Sequence, residues 1–337
     1  MKAIGFYKTL PPSDPNSLVE VEIPAPAPGP NDLLVRVHSV SVNPVDTKVR
    51  KRSASTDGKP LVLGFDASGT VTGIGSNVTG FEIGDEVYYA GDITRPGTNS
   101  ELHTVDARIV GHRPKSLSLA ESAAIPLTAL TAHEALFEHL QIPPHGAPEN
   151  ATLLLIGGAG GVGSLAIQMA KLAGIRVATT ASRPETVEWV KKMGADIVLD
   201  HRQPLKPQLE AAGVSEVEWI FNTANTAAYW QQMADLIKPF GKIASIVESA
   251  EPLDISLLMK KSASFHWELM FTRSMFTTPD ISKQQQILNQ VAGWIDSGKI
   301  RPTVTQILEP ISAENLRAAH AQLESGKSIG KTVLTGW

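Results

Sequence analysis

Between residues 152 and 269 six short apolar runs recur: TLLLIG, RVATTA, DIVLD, EWIFNTA, KIASIV and SFHWEL. Segments of helical period stand between several of them: GSLAIQMAKLAG, PETVEWVKKMG and AAYWQQMADLIK. A strand can reach a parallel neighbour only through a connection long enough to cross the sheet, and a helix does this while covering one face. The alternation therefore predicts a doubly wound parallel sheet. The first run ends in Gly158-Ala159-Gly160-Gly161-Val162-Gly163, and these glycines open directly onto the first helix.

Set between a strand and a helix, that spacing suits a dinucleotide. Glycines let the backbone turn tightly and approach a pyrophosphate, and the helix N-terminus adds free N–H donors with a partial positive charge. The plainer alternative is a glycine-rich β–α turn without a ligand. Given the alternating strands, we read a Rossmann unit with Gly158, Gly160, Gly161, Val162 and Gly163 as cofactor-binding residues. An NAD site usually places an acid at the end of the second strand, about 20 residues on. Here Thr179-Thr180-Ala181-Ser182-Arg183-Pro184 offers none, and Glu185 is already on the next helix. Ser182 and Arg183 suit a 2′-phosphate instead, which predicts NADPH. Ser182 can equally cap the helix that Pro184 opens, and the two roles are compatible.

The rest of the chain is organised differently. Residues 1–110 are strand-like, in KAIGFY, LVEVEIP, DLLVRVHSVSV, ASGTVTGIG, DEVYYAG and ELHTVD, separated by turns such as PGPND and GSNVTG. Residues 118–140 read as helix interrupted at Pro126, and IPPHGAPEN (142–150) as a loop. After about residue 270 come a long helix (281–297), the strand TVTQIL, a helix (312–325) and a last strand, KTVLTG. The late strands lack crossover helices, so they are expected to return to the N-terminal β domain. The expected domains are 1–124 with 268–337, and 125–267.

With 337 residues and a net charge of −4, the chain has no basic footprint, and nucleic acid is not expected as a partner. No apolar stretch approaches the roughly 18 residues of a membrane span. The start, MKAIGFYKTLPPSDP, reads as a first strand, so a cytoplasmic protein is expected. The absence of cysteine removes disulfides, thiolate metal ligands and thiol catalysis. His133 and His139 in HEALFEH, six residues apart, lie about 240° around an α-helix and cannot easily share an ion.

These segments together resemble the medium-chain dehydrogenase/reductase superfamily from end to end. The resemblance is carried by SVNPVDTKVR (41–50), LGFDASGTVTGIGSNVTGFEIGDEVY (63–88), AIPLTALTAHEAL (124–136), GGAGGVGSLAIQMAK (157–171), the K-x-M-G-A-D stretch (191–196) and GKTVL (330–334). Within the superfamily the chain is similar to the zinc-free quinone oxidoreductases, which are often labelled zinc-type alcohol dehydrogenase-like. That likeness implies a GroES-like, mainly β catalytic domain with the Rossmann domain inserted, and a homodimer. Zinc-dependent relatives carry Gly-His-Glu where Gly64-Phe65-Asp66 stands here, a cysteine shortly before the position of Asp46, and a four-cysteine lobe. None of those ligands is present, so no zinc is expected.

The resemblance places Asn43 beside nicotinamide and substrate, with Asp46 nearby and Lys48 where many relatives have a tyrosine. Asn43, Asp46 and Lys48 are the catalytic candidates, although Asn43-Pro44 also favours a turn and Asp46 can cap a short helix. The likeness also implies cofactor contacts at Thr128, His201, Asn222, Val247, Phe271, Thr272, Arg273 and Lys331, the last at a cofactor phosphate. Ordinary strand-end packing is the alternative for each. Without a Lewis acid, simple alcohols are poor substrates. Quinones and α,β-unsaturated carbonyls accept hydride unaided, which leads to an NADPH-dependent, metal-free oxidoreductase of these small molecules. The alternatives are a non-catalytic NADPH-binding redox sensor and, with less support, a zinc alcohol dehydrogenase.

Overall fold

A computed structural model describes residues 1–145 and 148–337, so the middle of the loop read at 142–150 lies outside the described residues. The chain forms two compact units: residues 1–130 with 271–337, and residues 131–270.

In chain order the first unit begins with β1 (Lys2–Phe6), β2 (Val19–Glu22), β3 (Asp32–Ser41), helix α1 (Pro44–Arg52), β4 (Leu61–Val62), β5 (Ala67–Ile74), β6 (Glu86–Tyr89), β7 (Leu102–Asp106) and β8 (Gly111–His112). Helices α2 (Leu119–Ala123) and α3 (Pro126–His133) follow. All six strand-like segments read from the sequence carry strands. β4 and β8 were not foreseen, being two residues long and without periodicity. β3 shows why this half is a sheet: Leu33, Val35 and Val37 alternate inward and are almost fully buried.

The second unit holds β9 (Thr152–Ile156), α4 (Gly161–Leu172), β10 (Arg176–Thr180), α5 (Pro184–Met193), β11 (Ile197–Leu199), α6 (Leu205–Ala211), β12 (Val217–Asn222), α7 (Thr226–Leu236), β13 (Ile237–Ser245) and β14 (Ser264–Trp267). Its six strands are parallel, in the order β11-β10-β9-β12-β13-β14. This is the doubly wound order with its switch point beside β9, which leads into the glycine loop. Leu153, Leu154, Leu155 and Ile156 are all fully buried, because both faces of a parallel sheet are covered; the run is accordingly continuous and not alternating.

The chain then returns to the first unit with α8 (Thr272–Met275), α9 (Lys283–Asp296), β15 (Val304–Leu308), α10 (Ala313–Glu324) and β16 (Lys331–Thr335). β16 pairs antiparallel with β3, matching Val333 to Ser41 and Leu334 to Val40, and β15 pairs parallel with β16. The late strands thus complete a seven-stranded sheet with the N-terminal ones. Continued two residues further, the register sets Lys331 opposite Asn43. The fold is α/β: a Rossmann unit whose sequence interrupts a mainly β, GroES-like domain.

One helix departs from its expected form. Residues Glu134–His139 are π-helical, with Leu140 N–H donating to the Ala135 carbonyl. The α-helical angle between His133 and His139 therefore does not apply: His133 packs edge-on to Phe137, and His139 pairs with Glu268 at 2.8 Å. Among the described residues no helix is long and apolar enough to cross a membrane.

Candidate active site

The glycine loop is the candidate site of the second unit. Gly158 and Gly163 are glycine for internal reasons: a Cβ at Gly158 would stand 2.1 Å from Thr179 Oγ1, and one at Gly163 2.4 Å from the Gly157 carbonyl oxygen. Gly160 is different. A Cβ there meets nothing closer than 3.9 Å, and its φ of −74° and ψ of 174° suit any residue. The protein itself has no need of glycine at 160, whereas a ligand lying against the loop would. Gly160 is the N-cap of α4, with Gly161, Val162 and Gly163 forming the first turn, so the helix N-terminus faces that open space with no capping side chain. These residues fit a dinucleotide pyrophosphate.

Beyond β10 the chain carries a cluster of cationic and polar groups. Ser182 Oγ lies 3.4 Å from His201 Nε2, and Arg202 Nη2 donates to the Ser182 carbonyl at 3.4 Å. Arg183 is paired with Glu185 at 3.0 Å, and Arg202 with Asp200 at 2.6 Å. The Arg202 guanidinium and N–H hold the Asp200 carboxyl down to about 2. Ser182 does not cap α5: Arg183 is the N-cap, and Arg183 N–H bonds Thr186 Oγ1. Arg202 escaped the sequence reading. The available signal was Asp200-His201-Arg202 directly after a strand, where an aspartate bonds the N–H two residues on and orients the arginine.

The first unit contains a buried polar cluster where α1, the loop before β5 and the start of β16 converge. Asp46 Oδ2 accepts from Asn43 N–H at 2.8 Å and Oδ1 accepts from Gly64 N–H at 3.0 Å. Gly64 sits at φ +112°, where a Cβ would also fall 2.4 Å from Thr98 Oγ1. Burial pushes the Asp46 carboxyl up to about 7, against the opposing pull of the Asn43 N–H and Lys331. Asp66 is fully buried. Its Oδ2 accepts from Ser41 Oγ at 2.8 Å, Asn43 Nδ2 at 2.7 Å and Lys331 Nζ at 3.0 Å, and its Oδ1 accepts from Leu127 N–H at 2.8 Å. Asp66 thereby caps α3. Lys331 Nζ also donates to the Val42 carbonyl at 3.0 Å and, through a short bond, to Asn43 Oδ1.

Comparisons with known proteins settle the family. A sequence family described as "Alcohol dehydrogenase GroES-like domain" matches residues 29–130, and one described as "Zinc-binding dehydrogenase" matches 193–334. The chain is 46% identical to a zinc-type alcohol dehydrogenase-like protein of Staphylococcus aureus strain MRSA252, over 99% of both chains. It belongs to the medium-chain dehydrogenase/reductase superfamily. A crystallised protein of Rhizobium etli CFN 42 named as a zinc-dependent alcohol dehydrogenase protein shares 49% identity with this dehydrogenase/reductase at a TM-score of 0.95, over 100% of this chain and 98% of the other. The quinone oxidoreductase of Coxiella burnetii is 27% identical at 0.82, over 100% and 99% of the chains. A mycobacterial protein, Rv1454c, crystallised with NADPH, is 27% identical at 0.83, over 99% and 100%.

A family named for zinc raises the question of fit. In this dehydrogenase/reductase the candidate ligand positions hold Asn43, Phe65 and Asp66. Phe65 packs edge-on against Phe271 at 5.4 Å, and the Asp66 carboxylate is engaged by Lys331. One carboxylate, one amide and one aromatic ring, with an ammonium already among them, do not fit zinc.

The remaining sequence candidates divide. Lys331 requires a correction: its three N–H groups are spent on Val42, Asn43 and Asp66, so none is left for a cofactor phosphate. Asn222 is likewise engaged within the second unit. Its Nδ2 reaches Ala224 O, Thr226 Oγ1 and Ser245 Oγ, and its Oδ1 accepts from Ala224 N–H. Thr128 Oγ1 donates back to the Ile125 carbonyl at 3.0 Å, and the Val247 carbonyl accepts from Thr226 Oγ1. Phe271 is buried, Thr272 is exposed, and Arg273 pairs with Asp280 at 2.9 Å. Lys48 is half-buried. Ser41 and Asp66 were absent from the candidates. Asp66 was legible as the neighbour of Phe65 in the family motif, whereas Ser41 carries no local signal.

Proposed function

We propose that this chain is an NADPH-dependent, metal-free oxidoreductase that reduces quinones or α,β-unsaturated carbonyls. The observation that carries the reading is the buried cluster, in which Lys331 engages the only carboxylate and amide that stand at the family's ligand positions. An acceptor handled here must be electrophilic without a Lewis acid, as quinones and enones are. NADPH, when bound, supplies the hydride.

The chain's own residues bind and orient. The open backbone at Gly160 and the α4 N-terminus would hold the pyrophosphate. Ser182, Arg183, His201 and Arg202 would receive a 2′-phosphate. Both arginines now pair at the partly exposed surface, where an ion pair contributes little, so a phosphate would compete with Glu185 and Asp200 for them. Asn43 Nδ2 has two hydrogens. One goes to Asp66, and the other is the donor left for an oxygen on which negative charge develops. Asp46 serves by holding the α1 N-terminus, and with it Asn43, in place. The quinone oxidoreductase name of the Coxiella neighbour and the NADPH bound by the mycobacterial one support the reading. Family likeness supports a cytoplasmic homodimer.

The test is NADPH oxidation with a panel of quinones and enones after exhaustive chelation, set against alcohols with NADP⁺. Turnover confined to the first group supports the proposal. Tight NADPH binding with no turnover on any acceptor would favour a redox sensor.

A further inference from the structure

Lys331 is 4% exposed, and its partner Asp66 is fully buried. A buried ammonium is costly unless every N–H is satisfied and its charge is balanced. Both conditions hold. The three N–H groups meet three oxygens, each from a different group: the Val42 carbonyl at the end of β3, the Asn43 side-chain carbonyl at the N-cap of α1, and the Asp66 carboxylate before β5. Three oxygens with one net negative charge form a cage for one singly charged cation.

The cage also settles the direction of the Asn43 amide. An ammonium can only donate and a carboxylate can only accept, so Oδ1 must face Lys331 and Nδ2 must face Asp66. Without the ammonium only the Asp66 carboxylate would hold this orientation, and only while it is ionised; the Oδ1 side of the amide would lose its anchor. Asp66 would also lose its counter-charge in a cluster that already contains Asp46.

We propose that the Lys331 ammonium is the resident cation of this site: it fills the Val42–Asn43–Asp66 cage where relatives named for zinc would hold a metal, and it acts as a positioning residue that fixes the Asn43 amide as a donor. The positioning half rests on the reading that Asn43 serves the acceptor; the cage half does not.

The fragment lost in Lys331→Ala is n-propylammonium, which is therefore the matched probe. In Lys331→Ala, n-propylammonium raises Tm while neutral n-propanol does not, and neither shifts the wild type. Turnover of Lys331→Ala falls about 10–100-fold, the range for a displaced positioning contact, while the Kd for NADPH stays within about twofold. n-Propylammonium restores kcat several-fold. In a double-mutant cycle, adding Lys331→Ala to Asn43→Ala costs little more than Asn43→Ala alone.

If Lys331→Ala does not fold, Lys331→Met fills the same volume without charge and must show the same split between kcat and NADPH affinity. Equal Tm responses to ammonium and alcohol would overturn the cage. Additive effects in the cycle, or a lost NADPH affinity with kcat intact, would overturn positioning. A wild type that turns over no acceptor would sink the functional reading instead, and the melting experiment would still decide the cage.

Discussion

Substituting Gly160 by valine isolates the cofactor loop from the fold. The backbone at 160 already has the extended conformation a β-branched residue prefers, and the added Cβ meets no atom nearer than 3.9 Å. Stability should therefore fall by only about 1 kcal/mol, the cost of a β-branched residue in place of glycine at the α4 N-cap. The valine methyls would occupy the space over the α4 N-terminus, where on the proposed reading a pyrophosphate would accept backbone N–H bonds. Charge-assisted bonds of this type contribute about 1.5–3 kcal/mol each, so losing two weakens NADPH by about 3–6 kcal/mol, or 10²–10⁴-fold. Gly163→Val is the contrast. Its Cβ would stand 2.4 Å from the Gly157 carbonyl oxygen, and the variant should fail through its fold. Fluorescence titration with NADPH beside thermal melting separates the two. A folded Gly160→Val protein with undiminished affinity would refute the reasoning, leaving the loop only a turn.

Arg183→Ala should weaken NADPH more than NADH by about 1.5–3 kcal/mol, read by titration of both cofactors; equal losses would remove the 2′-phosphate role. Asn43→Ala should lower kcat by about 10²–10³ with little change in NADPH affinity, and steady-state kinetics on a reactive quinone checks this. Asp46 gives a pH prediction. Its carboxyl is raised from 3.8 to about 7, so it favours the folded state fully at acid pH and loses that contribution as pH climbs from about 4 through 7. At 1.36 kcal/mol per unit this amounts to about 4 kcal/mol over the window, and wild type should lose that much against Asp46→Asn in denaturant titrations. A difference that is flat or grows with pH would contradict the burial argument.

Much of the fold was legible because its signals are local. The continuous apolar runs of β9 and β12, the glycines before α4, and the late strands without crossovers each state their role within about ten residues. What stayed hidden depends on register and distance in sequence. GKTVL shows a lysine at the start of a strand, but only the pairing of β16 with β3 brings it against Asn43, 288 residues away. The phosphate role expected of Lys331 failed for that reason. The π-helix at Glu134–His139 was read as α because six residues are too few to distinguish the two periods in sequence, and the Glu268 partner of His139 lies 129 residues on. Arg202 was missed because its place follows from an aspartate side chain after β11 and not from a motif.

Hydride transfer to an acceptor that is electrophilic by itself needs no metal, and the rate of NADPH oxidation with a 1,4-quinone before and after exhaustive chelation tests this. The rate should be the same in both, with no gain on adding zinc and no appreciable oxidation of primary or secondary alcohols with NADP⁺. Activity that disappears on chelation and returns with zinc would contradict it.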